Sequence, residues 1–250
     1  MSGHSKWANI KHKKGAADKK KGRIFSRIAK EILVAVKTGG SDQETNGRLR
    51  AAVAAAKASN MPSTNVERAI KKGSGEGDTT VYDEVLYEGY GQEGVAILVE
   101  CLSDNRNRTG GEVRLAFDRT GGNMASTGAV TWMFHRKSHF IVTGEKATEE
   151  TLMDIVLDAG AEDIEENEGM AEIWGAPDCF DAISKALEKA KIPVEEAGLS
   201  RKPENYVELT DPIVAQKILK LIDKLEDLDD VQAVYSNFQI ADEIADQLEA

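Results

Sequence analysis

Ten residues near the start of this chain have the types and spacing to hold a polyanion: Lys6, Trp7, Lys11, Lys13, Lys14, Lys19, Lys20, Arg23, Arg27 and Lys30. Cations repeated along one segment neutralise phosphates and release their condensed counterions. If about six phosphates are neutralised, log K should fall with log salt at a slope near −5 on duplex DNA. Lysine outnumbers arginine here. An ammonium is a point charge, whereas a guanidinium is a bidentate fork, so backbone contacts are expected over base reading, with weak sequence specificity. Trp7 could stack on a base or anchor the arm against neighbouring helices. Packing is the favoured reading, and Trp7 stays in the candidate set.

Other candidates are weaker. Gly110-Gly111 and Gly121-Gly122 lie near Arg106, Arg108 and Arg119, and arginines at a helix N-terminus can hold an anion. No Gly-Lys-Ser/Thr follows at P-loop spacing, so turn and cap glycines are expected. His135 and His139 could share a helical face, but they start an expected strand without a carboxylate or cysteine partner nearby, so no metal site is expected. Cys101 and Cys179 form no CxxC pair and read as buried structural thiols. The run Glu162-Asp163-Ile164-Glu165-Glu166 reads as solvated surface. No nucleophile–base constellation is spaced for catalysis. The expectation is a binding protein, not an enzyme, with no cofactor.

The charge distribution sets these candidates apart. The 250 residues carry a net charge of −11. The first 80 hold 17 Lys and Arg against 7 Asp and Glu, a net +10, while the rest hold 15 against 36, a net −21. A polyanion would repel the acidic body and attract the N-terminal part. Hydrophobic content of 41% and charged content of 30% describe a globular chain. No apolar run approaches a membrane span. The N-terminal lysines precede no apolar signal segment, so a cytoplasmic location is expected.

Elements must position the cations. Residues 1–14 read as an arm or short turn, and 16–37 as a helix. On a wheel of 100° per residue, Ile24, Phe25, Ile28, Ala29, Ile32, Leu33 and Val36 share one half. Lys19, Lys20, Arg23, Arg27, Lys30 and Lys37 lie opposite, with Lys21 the exception and Val34 intruding on the basic side. One face should pack and the other present cations, up to a stop at Gly39-Gly40. A second helix spans about Thr45–Ala58, and a third runs from Pro62 or Ser63 to Gly73. Gly73–Asp78 reads as a linker.

Beyond it the hydrophobic period changes. Val85–Tyr90 and Val95–Leu102 read as strands, and 106–119 as a helix. Residues 137–201 spell strand–helix–strand–strand–helix–strand, the ferredoxin-like βαββαβ order. Strand Tyr206–Leu209, helix Pro212–Leu225 and strand Val231–Tyr235 follow. That unit should complete the sheet begun at 80–134, with the βαββαβ unit inserted between.

Gly3-His4-Ser5-Lys6-Trp7-Ala8-Asn9-Ile10-Lys11-His12-Lys13-Lys14 resembles the opening of the YebC/PmpR family, which includes the mitochondrial translational activator of cytochrome c oxidase. The resemblance continues through Asn60-Met61-Pro62, Arg68-Ala69-Ile70-Lys71-Lys72-Gly73, Tyr87-Glu88-Gly89-Tyr90-Gly91 and Arg108-Thr109-Gly110-Gly111. It reaches Phe117, Gly121-Gly122 and Tyr235-Ser236-Asn237-Phe238, and so spans essentially the whole chain.

The resemblance implies an α+β protein of three domains. These are an N-terminal helical bundle (1–79), a central α+β domain (80–134 plus 204–250) and an inserted ferredoxin-like domain (135–203). It also implies a cytoplasmic regulator, conventionally transcriptional and DNA-binding. The alternative is a translation factor that binds RNA or the ribosome. Neither composition nor resemblance fixes the oligomeric state.

Overall fold

The computed structural model describes residues 18–75, 80–167, 169–241, 243, 244 and 248, with side chains from residue 22 onward except that of Asn167. The chain is α+β. Its described residues form two compact units, one joining 18–75 with 136–200, the other 80–135 with 201 onward. Among these residues no helix is long and apolar enough to cross a membrane.

In the first unit, α1 (Asp18–Gly39), α2 (Gly47–Ala58) and α3 (Ser63–Gly73) pack together. Ile32, Ala35 and Val36 of α1 meet Leu49 and Ala52 of α2 and Ala69 of α3. The small side chains of α2 allow this closeness. Asn46 fastens the first turn of the bundle. Its Oδ1 accepts from Leu49 N at 3.0 Å, capping α2, while its Nδ2 donates to Ala35 O and Gly40 O at 2.8 and 2.7 Å, closing the end of α1. Gly73 ends α3 against α1 so tightly that a Cβ there would sit 2.7 Å from Val36 Cβ and 2.9 Å from Leu33 O.

The same unit holds β4 (Phe134–Thr143), α5 (Glu149–Val156), β5 (Ala161–Asn167), β6 (Met170–Gly175), α6 (Phe180–Ala190) and β7 (Val194–Pro203). The strand order is β5-β6-β4-β7, with β6 antiparallel to both neighbours. This is the ferredoxin-like arrangement that the alternation of periods indicates. Phe140, Val142 and Ile173 point from the sheet to Leu152 and Val156 of α5 and to Ile183 and Leu187 of α6. Ala51 of α2 joins that cluster. The acidic run lies on β5, where Ile164 is buried and its acidic neighbours are exposed or half-buried. Glu166 accepts from Glu149 N at 2.7 Å at the start of α5.

The second unit is built on a sheet of order β3-β1-β2-β9, from β1 (Asp83–Tyr90), β2 (Ala96–Ser103), β3 (Asn123–Met124) and β9 (Val231–Ser236). Val95–Val99 is an unbroken apolar run because β2 is buried on both faces. Ile97 and Val99 face α4 (Arg106–Asp118) and α7 (Pro212–Glu226). Ala96 and Leu98 face Val130, Met133 and Phe134.

The expected completion of the sheet holds for β9, which pairs with β2. It fails for β8 (Val207–Leu209), which pairs in parallel with β10 (Phe238–Ile240) in a separate two-stranded sheet. Buried Asn237 makes the break. Its side chain accepts from Ala96 N at 2.7 Å, and its carbonyl accepts from Val207 N at 2.7 Å, handing the chain from one sheet to the other.

On the β1 face away from α4, Glu88 is buried. Its carboxylate accepts the N–H groups of Gly128, Val130 and Thr131 at 2.6, 2.7 and 2.8 Å. Burial alone disfavours this charge, but the three backbone bonds outweigh it and hold the carboxyl below its ordinary range.

Candidate nucleic-acid interface

Helix α1 carries the described part of the basic set. Arg23, Arg27 and Lys30 fall within about 60° of one another on the helix. Arg23 is exposed, and Arg27 and Lys30 are half-buried. Lys19 and Lys20 occupy the first turn of α1, but their side chains lie outside the described set. Lys6, Trp7, Lys11, Lys13 and Lys14 lie outside the described residues altogether, as do residues 76–78 of the expected linker.

The helix is not two-sided along its whole length, as the wheel suggests. No side chain from Gly22 to Glu31 is buried, whereas Ile32 to Val36 are all buried. Ile24, on the face expected to pack, is 40% exposed, while Val34, between Lys30 and Lys37 on the basic side, is 5% exposed. The reason is position along the axis. The core with α2 and α3 gathers around Ile28 to Val36, so burial there surrounds the helix, and only its N-terminal half stays open. Among the described side chains, the cationic arc is therefore exposed or half-buried from Arg23 to Lys30.

Part of the basic excess of the module is structural. Arg48 grips Glu31 through two bonds, Nε to Oε1 at 2.6 Å and Nη2 to Oε2 at 3.0 Å, tying α2 to α1. Arg50 Nε donates to Asp181 Oδ2 of α6 at 2.9 Å, and its Nη1 donates to the carbonyls of Gln43 and Glu44. That bond to Asp181 raises the Arg50 pKa further. Lys57 lies 3.5 Å from Glu188 of α6. These cations hold the bundle together and to the ferredoxin-like sheet.

Two of the second arginine group, Arg106 and Arg108, are held by carboxylates. Gly110 and Gly111 are interior residues of α4, not turn or cap glycines as expected. Asn105 caps the helix ahead of them, accepting from Arg108 N at 3.1 Å, and buried Thr109, Val113 and Phe117 carry the helical pattern through them. Arg106 pairs with Asp83 at 2.8 Å. Arg108 reaches Asp230 at 2.5 Å and Asp104 at 2.7 Å, and those bonds, Asp230 first, raise its pKa. Gly121-Gly122 does end the helix, with Gly121 at φ +77°.

Both histidines have carboxylate partners, contrary to the sequence reading. His139 on β4 is 2.9 Å from Glu172 on β6 and stacks on Trp174 with ring centroids 3.9 Å apart. His135 is 3.6 Å from Glu204. The partners come from across a sheet or from a distant segment, so local spacing does not reveal them. Among the described residues no group of three or more His, Cys, Asp or Glu could hold a metal ion. Cys101 is buried as expected, but Cys179 is half-buried, and the two form no disulfide.

Two family models match the chain. One, the TACO1/YebC protein N-terminal domain, matches residues 5–76. The other, the TACO1/YebC second and third domain, matches residues 82–238. A protein of Desulfotalea psychrophila named probable transcriptional regulatory protein is 51% identical over 248 residues, covering 99% of each chain. One of Geobacter sulfurreducens with the same description is 51% identical over 248 residues, covering 99% of this chain and all of that one. The crystal structure of a conserved hypothetical protein from Aquifex aeolicus superposes with a TM-score of 0.86 at 44% identity, covering 95% of this chain and 98% of that one.

Proposed function

The chain belongs to the TACO1/YebC family, and on that footing we propose that it is a cytoplasmic nucleic-acid-binding regulator of gene expression that works by binding, not catalysis. The observation that carries this reading is the open cationic arc of Arg23, Arg27 and Lys30 on α1. It continues in sequence from the lysines at positions 6, 11, 13, 14, 19 and 20, on a chain whose remainder is acidic. Binding presents the arc and arm to phosphates, while the acidic remainder turns the other surfaces away.

The names of the relatives support a transcriptional role, and duplex DNA is the ligand that this reading takes. The lysine-rich make-up of the arm and arc supports a translational role on RNA or the ribosome equally well, because point charges read phosphates without reading bases.

Crosslinking in cells, with both DNA and RNA partners sequenced, decides between them. Enrichment at promoters is the expected result for the transcriptional reading. Reads concentrated in ribosomal RNA, with none enriched at promoters, would replace it with the translational one. Absence of both kinds of crosslink would remove nucleic-acid binding itself.

A further inference from the structure

We propose that Trp132, presented by the loop that Glu88 organises, is a stacking platform for an unpaired nucleobase. The inference rests on the nucleic-acid-binding reading above and adds a second contact of different chemistry.

Trp132 is 61% exposed. An indole normally buries its ring and seeks a partner for its N–H. Here the N–H is already used within the loop, donating to Ala129 O at 3.2 Å. What the residue offers outward is therefore ring surface. Trp174, in contrast, is 9% exposed and stacked on His139.

The loop that holds Trp132 is fixed from beneath. Glu88 collects the N–H groups of Gly128, Val130 and Thr131, and Val130, Met133 and Phe134 are buried on either side of Trp132. Such anchoring sets the indole in place before any ligand arrives, which lowers the ordering cost of binding. Ser126, Thr127 and Gly128 lie exposed beside it without charge.

Charge selects the occupant. From Arg119 to Gly144, 26 consecutive residues contain no Asp or Glu, in a chain where these are 43 of 250. The same stretch carries Arg119 and Arg136, while its Lys137 is paired with Glu162. A segment cleared of carboxylates in an acidic chain suits a ligand that brings phosphates with its ring. Every base has a π-face, so stacking here is tolerant of sequence.

The test uses the full chain in a Trp7→Phe background, with a ten-nucleotide oligoadenylate RNA as the probe. Titration should quench the remaining tryptophan fluorescence. Trp132→Ala should weaken binding about tenfold, while Trp132→Phe stays within about twofold of the parent. The salt slope should be the same in all three, because the cations that meet phosphates are unchanged. Unchanged affinity in Trp132→Ala, or a loss in Trp132→Phe as large as in Trp132→Ala, would overturn the proposal.

A parallel arm replaces Arg23, Arg27 and Lys30 by Gln. If that variant loses affinity and Trp132→Ala does not, the stacking inference fails and the phosphate reading stands. If Trp132→Ala loses affinity and the triple variant does not, the phosphate reading fails and the stacking inference stands.

Discussion

Arg50 of α2 binds Asp181 of α6, Nε to Oδ2 at 2.9 Å, while its Nη1 holds the Gln43 and Glu44 carbonyls ahead of α2. One guanidinium thus fixes the α1–α2 connection and ties α2 to α6, while Ala51 beside it joins the core that α6 shares with the sheet. The bundle that carries the cationic arc therefore has a support. Arg50→Ala should lower the thermal midpoint. It should also lose its additivity with Asp181→Asn in a double-mutant cycle followed by circular dichroism. Full additivity would show the pair to be uncoupled.

The Glu88 carboxylate makes three backbone bonds that a neutral amide cannot reproduce. Glu88→Gln should reduce unfolding free energy by about 2 kcal/mol at neutral pH, measured by urea denaturation. The sign of the pH dependence follows from the lowered pKa. The contribution is full above the ordinary carboxyl value of 4.5 and is lost as pH falls through the lower folded value. The gap between parent and variant should therefore shrink toward acid. A gap independent of pH would mean that the charge is not what the loop requires.

Two helical glycines should respond oppositely to alanine. Gly111, inside α4, has nothing within 4 Å of where its Cβ would stand, and Gly73 of α3 would meet Val36 and Leu33. Gly111→Ala should stabilise the protein by about 1 kcal/mol through helix propensity. Gly73→Ala should destabilise it by about 1–3 kcal/mol, because the overlap with α1 outweighs that gain. Equal effects at the two sites would contradict the close packing of α3 on α1.

Most of the architecture is legible in the sequence because it is written in period. The apolar run Val95–Val99 marks a strand buried on both faces, and the change from 2 to 3.6 and back over 137–201 marks βαββαβ. What is not legible depends on distant partners. The transfer of β8 to β10 turns on Asn237, whose capping of Ala96 N has no local signature. The pairing of His139 with Glu172 exists only through the register of β4 on β6. The wheel finds the cations of α1 but cannot say how far along the axis the core extends, so it misses the burial of Val34. Trp132 carries no signal of its own in the sequence, because its environment is a loop organised from β1, about forty residues earlier in the chain.

If Arg23, Arg27 and Lys30 of α1 neutralise phosphates, binding must release counterions and depend on salt. Affinity for a 20-base-pair DNA duplex should be measured across a salt series for the parent and for Arg23→Gln/Arg27→Gln/Lys30→Gln. The slope of log K against log salt should be shallower by about 3 in the variant, close to one unit for each phosphate no longer neutralised. An identical slope in the two proteins would contradict it.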